Sequence, residues 1–423
     1  MRIDRLGDLG TPADVLRSVA GAAAQRRLPP PAALAGDWFG SAAVIAPTVP
    51  VRAIPPAEAF AVPPGDRGDA IGGGWIGYLS YPDAAADGRA ARIPEAAGGW
   101  TDSVLRLDVD GCWWHESLSA APIAIWVAEA LSSPAPLDSY EIDWEEPDFA
   151  RHQAGVLHCL AAIGAGEVYQ ACVCTQFTGT LRGSSLEFFA DAVTRTTPAR
   201  AAYLAGDWGA VASLSPELFL RRVGADVTSS PIKGTLPLCG PPEELLASAK
   251  DVAENIMIVD LVRNDLGRVA DTGTVTVPEL LTVQAAPGVW HLVSTVAATV
   301  RHEVTNAALL AAAFPPASVT GTPKGRARQL LSQWEPRRRG VYCGTVGMAS
   351  PIAGTELNVA IRTVEFDATG AAVLGVGGGI TADSDAKAEW QECLDKAAAV
   401  IHTGQFPGSL PSGPPERERS TAS

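Results

Sequence analysis

Two short segments carry carboxylates in pairs. In Lys250-Asp251-Val252-Ala253-Glu254-Asn255, which continues to Leu261, the apolar spacing predicts a helix, and Asp251 and Glu254, three apart, share one face of it. In Glu389-Trp390-Gln391-Glu392-Cys393-Leu394-Asp395-Lys396 the same pattern puts Glu389 and Glu392 on one face, with Lys396 a turn further on. Carboxylate oxygens suit a hard cation such as Mg²⁺, which commonly takes one or two protein carboxylates and lets substrate and water complete its octahedron. Taken alone, either pair also reads as a solvated helix face, the commoner use of acidic residues at this spacing.

A third segment, Ser230-Pro231-Ile232-Lys233-Gly234-Thr235, places one lysine at the end of a β-rich run. A desolvated lysine on a rigid strand end can lose its proton near neutral pH and act as a nucleophile; a lysine in water at the same place does nothing of the kind. Two glycine-rich runs, Gly340 to Gly347 and Gly375 to Ile380, would let backbone N–H groups approach an anion, although tight turns also need glycine. Neither fits a dinucleotide fingerprint or a Walker loop, and no GxSxG, HExxH or paired CxxC occurs. His291, inside Val289-Trp290-His291-Leu292-Val293, reads from its neighbours as a core histidine.

These segments need a scaffold, and the chain offers strands and helices that do not alternate as βαβ. Strand-like runs are Ala42 to Ile45, Trp75 to Leu79, Gly209 to Leu214, Leu218 to Val223, Val341 to Met348 and Ala371 to Val376. Helical patterns run from Arg151 to Ile163, with Asp148 as cap, then Pro242 to Leu261, Gly325 to Gln333 and Ala386 to His402. The fold class expected is therefore α+β. Residues 1–145, rich in Ala, Pro and Gly, read as short strands and loops in a peripheral lobe, and the first sustained helix is expected only at Arg151. Residues 146–404 form the catalytic domain, and 405–423, dense in Pro, Ser and charge, a disordered tail.

Composition narrows the function. The 423 residues are 47% hydrophobic and 19% charged, ample for a buried core, and the net charge of −15 repels a nucleic-acid backbone. Asp4 and Asp8 fall where a signal peptide needs its apolar run, and no stretch approaches a membrane span. The seven cysteines are odd in number and scattered, with Cys172-Val-Cys174 too tight for usual zinc spacing. Together these predict a cytoplasmic protein with reduced, mostly buried thiols, no nucleic-acid partner and no membrane.

In this order, the segments resemble the chorismate-utilising enzymes, the anthranilate, aminodeoxychorismate, isochorismate and salicylate synthases. The resemblance runs through Gly166 to Gln170, Ser215 to Phe219, Pro231 to Thr235, Lys250 to Leu266, His291 to Ser294, Ser318 to Lys324, Arg339 to Gly347, Ile361 to Thr363 and Gly377 to Lys396. Before residue 150 it is loose, around Gly73 to Tyr78. It implies a two-lobed α+β fold of large packed antiparallel sheets with helices outside, and chorismate bound with Mg²⁺ in a central cleft. By the same resemblance Glu254 and Glu392 are metal carboxylates, with Asp251 and Glu389 as nearby or water-mediated partners. Glu217 is the acid that protonates the departing C4 hydroxyl. Arg362 and Tyr342 grip the enolpyruvyl carboxylate. His291, Thr320, Gly234, Thr235 and the backbone of Gly377, Gly378 and Gly379 orient the ring and its carboxylate, and Lys396 balances the second acidic pair.

Two positions separate the branches. Water-adding members carry a lysine where this chain has Gln170, which disfavours hydroxyl addition. Lys233 resembles the lysine of the aminodeoxychorismate synthases, which adds to C2 of the chorismate ring while the C4 hydroxyl leaves, so that ammonia enters at C4. The alternative is the anthranilate branch, with nitrogen at C2 and pyruvate eliminated; a silent regulatory paralogue would have lost the acidic residues. The family pattern Tyr-Gln-Val-Asn is here Tyr169-Gln170-Ala171-Cys172, so an amide has become a thiol. No Gly-x-Cys-x-Gly nucleophile is present, so the resemblance implies a separate glutamine amidotransferase subunit as ammonia source. It also implies a separate aminodeoxychorismate lyase downstream, for p-aminobenzoate and folate.

Overall fold

The computed structural model describes residues 1–65, 68, 70–83, 91–133 and 137–402, so the tail expected at 405–423 lies outside the described residues. Its strands pair antiparallel throughout and build two large sheets of 12 and 10 strands. This is the α+β architecture expected, with helices on the outside. The first sheet carries Gln170–Gly183 and Ala371–Ile380 side by side, in register from Ala171↔Ile380 to Thr180↔Ala371. The second carries Leu218–Val223, Asp226–Ser230, Ile232–Pro237 and Val289–Thr299.

Residues 1–145 contribute to both sheets. Ala32–Trp38 joins the first sheet beside Arg200–Gly206, and Gly74–Leu79 joins the second beside Thr345–Ser350. A shared core of Leu34, Trp38, Val44, Ile76, Tyr78, Val346 and Met348 fills the space between the two sheets. On the outer face of the first sheet, helices Pro12–Gln25, Ser185–Thr196 and Ala386–Ile401 bury Leu16, Val19, Phe188, Phe189, Cys393 and Ala397. Helix Ala249–Gly267 covers the second sheet through Ile258, Val262 and Leu266.

Several local expectations are corrected. The first helix is Pro12–Gln25, not the one expected at Arg151. Thr11 and Asp14 form a reciprocal capping box, Pro12 sits in the first turn, and Ala13, Leu16, Val19 and Ala23 make the buried stripe. The Ala-rich composition hides this stripe, because alanine marks no face by itself. The helix expected over Pro242 to Leu261 is two, Glu243–Ala247 and Ala249–Gly267, broken where extended Ser248 accepts a hydrogen bond from Asp251 N. The strand expected from Val341 begins at Thr345; Gly340 to Gly344 form turns that bring Tyr342 beneath Gly375. The remaining expected helices are found: Phe149–Gly164 begins on Asp148, whose carboxylate accepts from Ala150 N and Arg151 N, and Lys324–Trp334 follows Pro323, whereas Ile125–Leu131, Ser185–Thr196 and Asn306–Ala313 were not expected.

Candidate active site

The site assembles where two strands near one end of the first sheet, Gln170–Gly183 and Ala371–Ile380, face the strand end that carries Lys233. Residues alternate along Gln170–Gly183: Ala171 and Val173 pack outward against helix Phe149–Gly164, which turns Gln170, Cys172 and Cys174 inward. Across the register stand Gly379 and Gly377. A Cβ on Gly379 would lie 3.2 Å from Gln170 Oε1, 3.2 Å from Lys233 Nζ and 3.5 Å from Glu254 Oε2. The missing side chain is thus the room in which those three groups meet. Lys233 Nζ stands 3.7 Å from Glu254 Oε2, both side chains largely buried.

The second acidic pair closes the same corner. A Cβ on Gly378 would meet Glu389 Oε2 at 2.9 Å and Glu392 Oε1 at 3.9 Å. Glu389 Oε1 accepts from Lys250 Nζ at 3.1 Å and from Ser384 Oγ at 2.6 Å, while its Oε2 is buried without a partner. Lys396 Nζ is 2.7 Å from Glu392 Oε1 and donates to Gly377 O at 2.8 Å. Asp251, in the first turn of its helix, lies against Gly234, whose φ of +84° and absent Cβ let the helix approach; a Cβ there would be 3.2 Å from Asp251 Cβ. Burial raises the Glu254 carboxyl above its ordinary range despite the charges of Lys233 and Lys250. Burial also pushes Glu392 upward, but the charge and hydrogen bond of Lys396, with the charges of Lys250 and Lys233, together hold that carboxyl low.

These carboxylates fit a hard divalent cation. The donors are all oxygen, Glu389 Oε2 lacks any partner, and glycines keep side chains out of the space before them. Among the described residues no three acidic, histidine or cysteine side chains close on one point, and Glu254, Glu389 and Glu392 each lean toward a lysine. Such a site needs the substrate's own oxygens to complete it.

Glu217 is 3% exposed, and burial pushes its carboxyl up to about 7, against the lowering pull of a hydrogen bond with Ser318 and the charges of Lys233 and Arg362. Its backbone is pinned by Ser215, whose hydroxyl accepts from Glu217 N at 3.1 Å and donates to Val359 O at 2.5 Å. His291 is likewise buried; Thr235 Oγ1 lies 3.0 Å from its Nδ1, and its Nε2 has no partner. Burial and the Arg362 charge lower His291 to about 4, so it is a neutral imidazole at pH 7. Arg362 occupies left-handed backbone at φ 50° on the turn before Thr363–Asp367. The Tyr342 ring lies on Gly375, and burial holds its phenol protonated. Thr320 contributes mainly backbone, since its hydroxyl donates to Pro316 O at 2.8 Å and its carbonyl accepts from Cys172 N at 2.9 Å.

The structure brings Gln170, Lys233 and Glu254 together at Gly379, and Glu389 and Glu392 at Gly378, with Asp251 against Gly234, His291 at Thr235 and Glu217 under the charges of Lys233 and Arg362; Tyr342 and Thr320 lie at Gly375 and Cys172. Four that matter were not singled out: Lys250, which neutralises Glu389 from 139 positions away, Ser384 on the same oxygen, and Ser215 and Ser318 around Glu217. Lys250, Ser215 and Ser318 open segments that carry the resemblance, but what each of them bonds is not written there; only the fold brings them to their partners. Behind the cleft, Arg339 is 1% exposed and makes two hydrogen bonds to Glu335, with others to Val319 O and Cys172 O.

A buried acid, a strand-end lysine and paired carboxylates thus meet between two packed antiparallel sheets. The chain belongs to the chorismate binding enzyme family, whose pattern it matches over residues 49–402. It is 43% identical to aminodeoxychorismate synthase component 1 of Klebsiella aerogenes over 249 residues, 57% of this chain and 55% of that one. It is 40% identical to aminodeoxychorismate synthase component 1 of Salmonella typhimurium over 356 residues, covering 78% and 76% of the two chains. The fold is that of anthranilate synthase component I from Streptococcus pneumoniae, with a TM-score of 0.70 at 24% identity over 95% of this chain and 92% of that one. The chain spans about half the length of the Klebsiella relative and about three quarters of the Salmonella one.

Proposed function

We propose that this protein is the chorismate-aminating component of an aminodeoxychorismate synthase, converting chorismate and ammonia to 4-amino-4-deoxychorismate and water. One observation carries the reading: Lys233 Nζ is held at the Gly379 gap, largely buried and 3.7 Å from Glu254, on the same cleft as the protonatable Glu217.

Bound through Glu254 and Glu392, with Asp251 and Glu389 beside them, Mg²⁺ would supply charge neutralisation for the substrate's ring carboxylate. Arg362 offers two parallel N–H donors and Tyr342 an O–H donor to the enolpyruvyl carboxylate. The neutral His291, oriented by Thr235, lends a ring nitrogen without adding charge. The Lys233 amine forms a bond to C2; the ring double bond shifts, the C4–O bond breaks, and Glu217 delivers its proton to the leaving hydroxyl, which departs as water. Ammonia then bonds to C4, the double bond shifts back, and the C2–N bond breaks to release the lysine amine. The proton lost by the attacking lysine is returned when it leaves, and the proton shed by the new C4 ammonium restores the Glu217 acid, so atoms and charge balance. Glu217 suits its part because burial keeps a proton on it near neutral pH, where an ordinary glutamate has none.

Ammonia would come from a glutamine amidotransferase subunit, in keeping with the component 1 names of the relatives, and a separate lyase would carry the product toward p-aminobenzoate. Seven free thiols suit the reducing cytoplasm. Among the described residues no helix is long and apolar enough to cross a membrane.

The test is to incubate the protein with chorismate, Mg²⁺ and an ammonium salt and to identify the product by mass and fluorescence. Aminodeoxychorismate, convertible to p-aminobenzoate by an added lyase, is expected. Fluorescent anthranilate with released pyruvate would overturn the assignment in favour of amination at C2.

A further inference from the structure

The first sheet has a break beside the cleft. One edge of strand Gln170–Gly183 is paired with Ala371–Ile380 along most of its length, but the other edge is not. There Gly321–Thr322 pairs only with Gln170 and Ala171, and Tyr140–Glu145 takes over only at Thr178. Between them the edge is met by a carbonyl and a carboxylate, Thr320 O and Glu335 Oε1, rather than by a strand. A cavity of about 230 Å³ occupies this break. It is lined from the outer face by His152 of the covering helix and from the inner face by Cys174 and Tyr342. It therefore enters the break from the helix-covered side and ends against Cys174 and Tyr342.

Its floor is thin. Cys174 Sγ lies 3.9 Å from Tyr342 Oη and 3.8 Å from Cys172 Sγ, and Cys172 is on the same inward row as Gln170, which faces Lys233 across Gly379. Its two ends differ in charge. Glu145, Glu146 and Asp148 stand at the outer mouth with Arg151, itself ion-paired to Asp148 at 3.4 Å, and Arg337. Further in, apart from the closed Arg339–Glu335 pair, the ionisable groups are neutral. Burial keeps the Cys174 thiol and the Tyr342 phenol protonated and lowers the imidazole of His152 to about 4. Two buried acceptors of the lining residues, His152 Nδ1 and Gln176 Oε1, have no partner. Carboxylates at a mouth concentrate a small cation, while an uncharged, partly unsatisfied wall admits its neutral conjugate and turns back ions.

We propose that this break in the first sheet is the route by which ammonia enters the cleft from the helix-covered outer face. The inference rests on the amination reading above and adds where the nitrogen comes in. Ammonia from free ammonium and ammonia handed over by a glutaminase subunit have the same chemistry at this passage.

The test plugs the passage at Thr175, half-buried in the break, with Thr175→Trp, and uses Thr175→Val as the control that keeps the volume. Turnover is measured with ammonium chloride, and separately with glutamine plus an aminodeoxychorismate synthase glutaminase subunit, together with the KM for chorismate. Thr175→Trp should raise the KM for ammonium by about tenfold or more and cut glutamine-driven turnover alike, with chorismate KM unchanged and Thr175→Val close to the parent. Loss with one nitrogen source only assigns the route to that source. Equal rates in the plugged and parent proteins with both sources overturn the route while leaving the amination reading intact. A parent that aminates chorismate with neither source overturns both. If Thr175→Trp fails to fold, Thr178→Trp at the outer end of the break is measured in the same way: a raised KM for ammonium supports the route, and parent-like rates with both sources overturn it.

Discussion

Lys233 Nζ and the backbone of Gly379 are so close that a single methyl group on the glycine would stand 3.2 Å from the amine. Gly379 has no left-handed backbone to excuse it, so it is glycine for space. Gly379→Ala should fold normally, because what the methyl meets are the ends of flexible side chains, yet it should displace Lys233, Gln170 and Glu254 together. Amination slowed by about tenfold or more at unchanged Tm is the expected outcome, a displacement of about 1 Å being enough for such losses. Full activity in this variant would show that the Lys233 position is not critical.

Lys233→Ala tests the covalent step directly. Loss of aminodeoxychorismate formation is expected with chorismate binding retained, read by calorimetry. Removing a cation 3.7 Å from Glu254 should also leave Mg²⁺ binding unchanged or tighter. Retained turnover in Lys233→Ala would eliminate the adduct.

Glu217 sets a pH limit. With its carboxyl raised to about 7, the proton needed for C4–O cleavage is lost as pH rises through that value, so kcat/KM should fall on the alkaline side. Glu217→Gln should lower kcat by about 10²–10⁴ and abolish that limb. The linkage has a definite sign. Between the ordinary carboxyl range and about 7 the folded protein holds a proton the unfolded chain has released, so this group costs stability progressively as pH rises, and fully above 7. Glu217→Gln should therefore be more stable than the parent at pH 8, by on the order of 1–3 kcal/mol, and not at pH 4. Denaturant titrations at the two values check it.

The proposed metal role of the carboxylates predicts metal dependence. Chelation with EDTA should abolish turnover and added Mg²⁺ restore it. Glu254→Gln and Glu392→Gln should each weaken Mg²⁺ binding in the presence of chorismate by about tenfold or more, measured by calorimetry independently of activity. Undiminished binding in both would remove them as ligands.

Arg339 and Glu335 predict stability rather than rate. Both are buried and joined by two hydrogen bonds, so Glu335→Ala would strand a guanidinium in the interior. A loss of about 3–5 kcal/mol in chemical denaturation is expected, larger than for replacing both partners with apolar residues.

Much of this was legible beforehand where the signal was local. Asp251 and Glu254, or Glu389 and Glu392, share a face because three residues nearly complete a helical turn, and Phe149–Gly164 starts at Asp148 because that carboxylate caps free N–H groups. Pro12–Gln25 was not legible, since an alanine-rich stripe becomes a buried face only against Phe188 and Phe189 of another helix.

By itself, then, the sequence determined the residue chemistry, the local elements that caps or clear periodicity mark, and the family, because each is written in types and spacings a few residues long. Tertiary structure decided the rest. Lys250 reaches Glu389 across 139 positions, Glu217 acquires its raised proton affinity only when the core closes around it, and the opening beside Cys174 exists because two short strands stop short of one another. Charge pairing, desolvation and voids depend on distances between segments remote in the chain, and those distances are fixed only when the sheets pack.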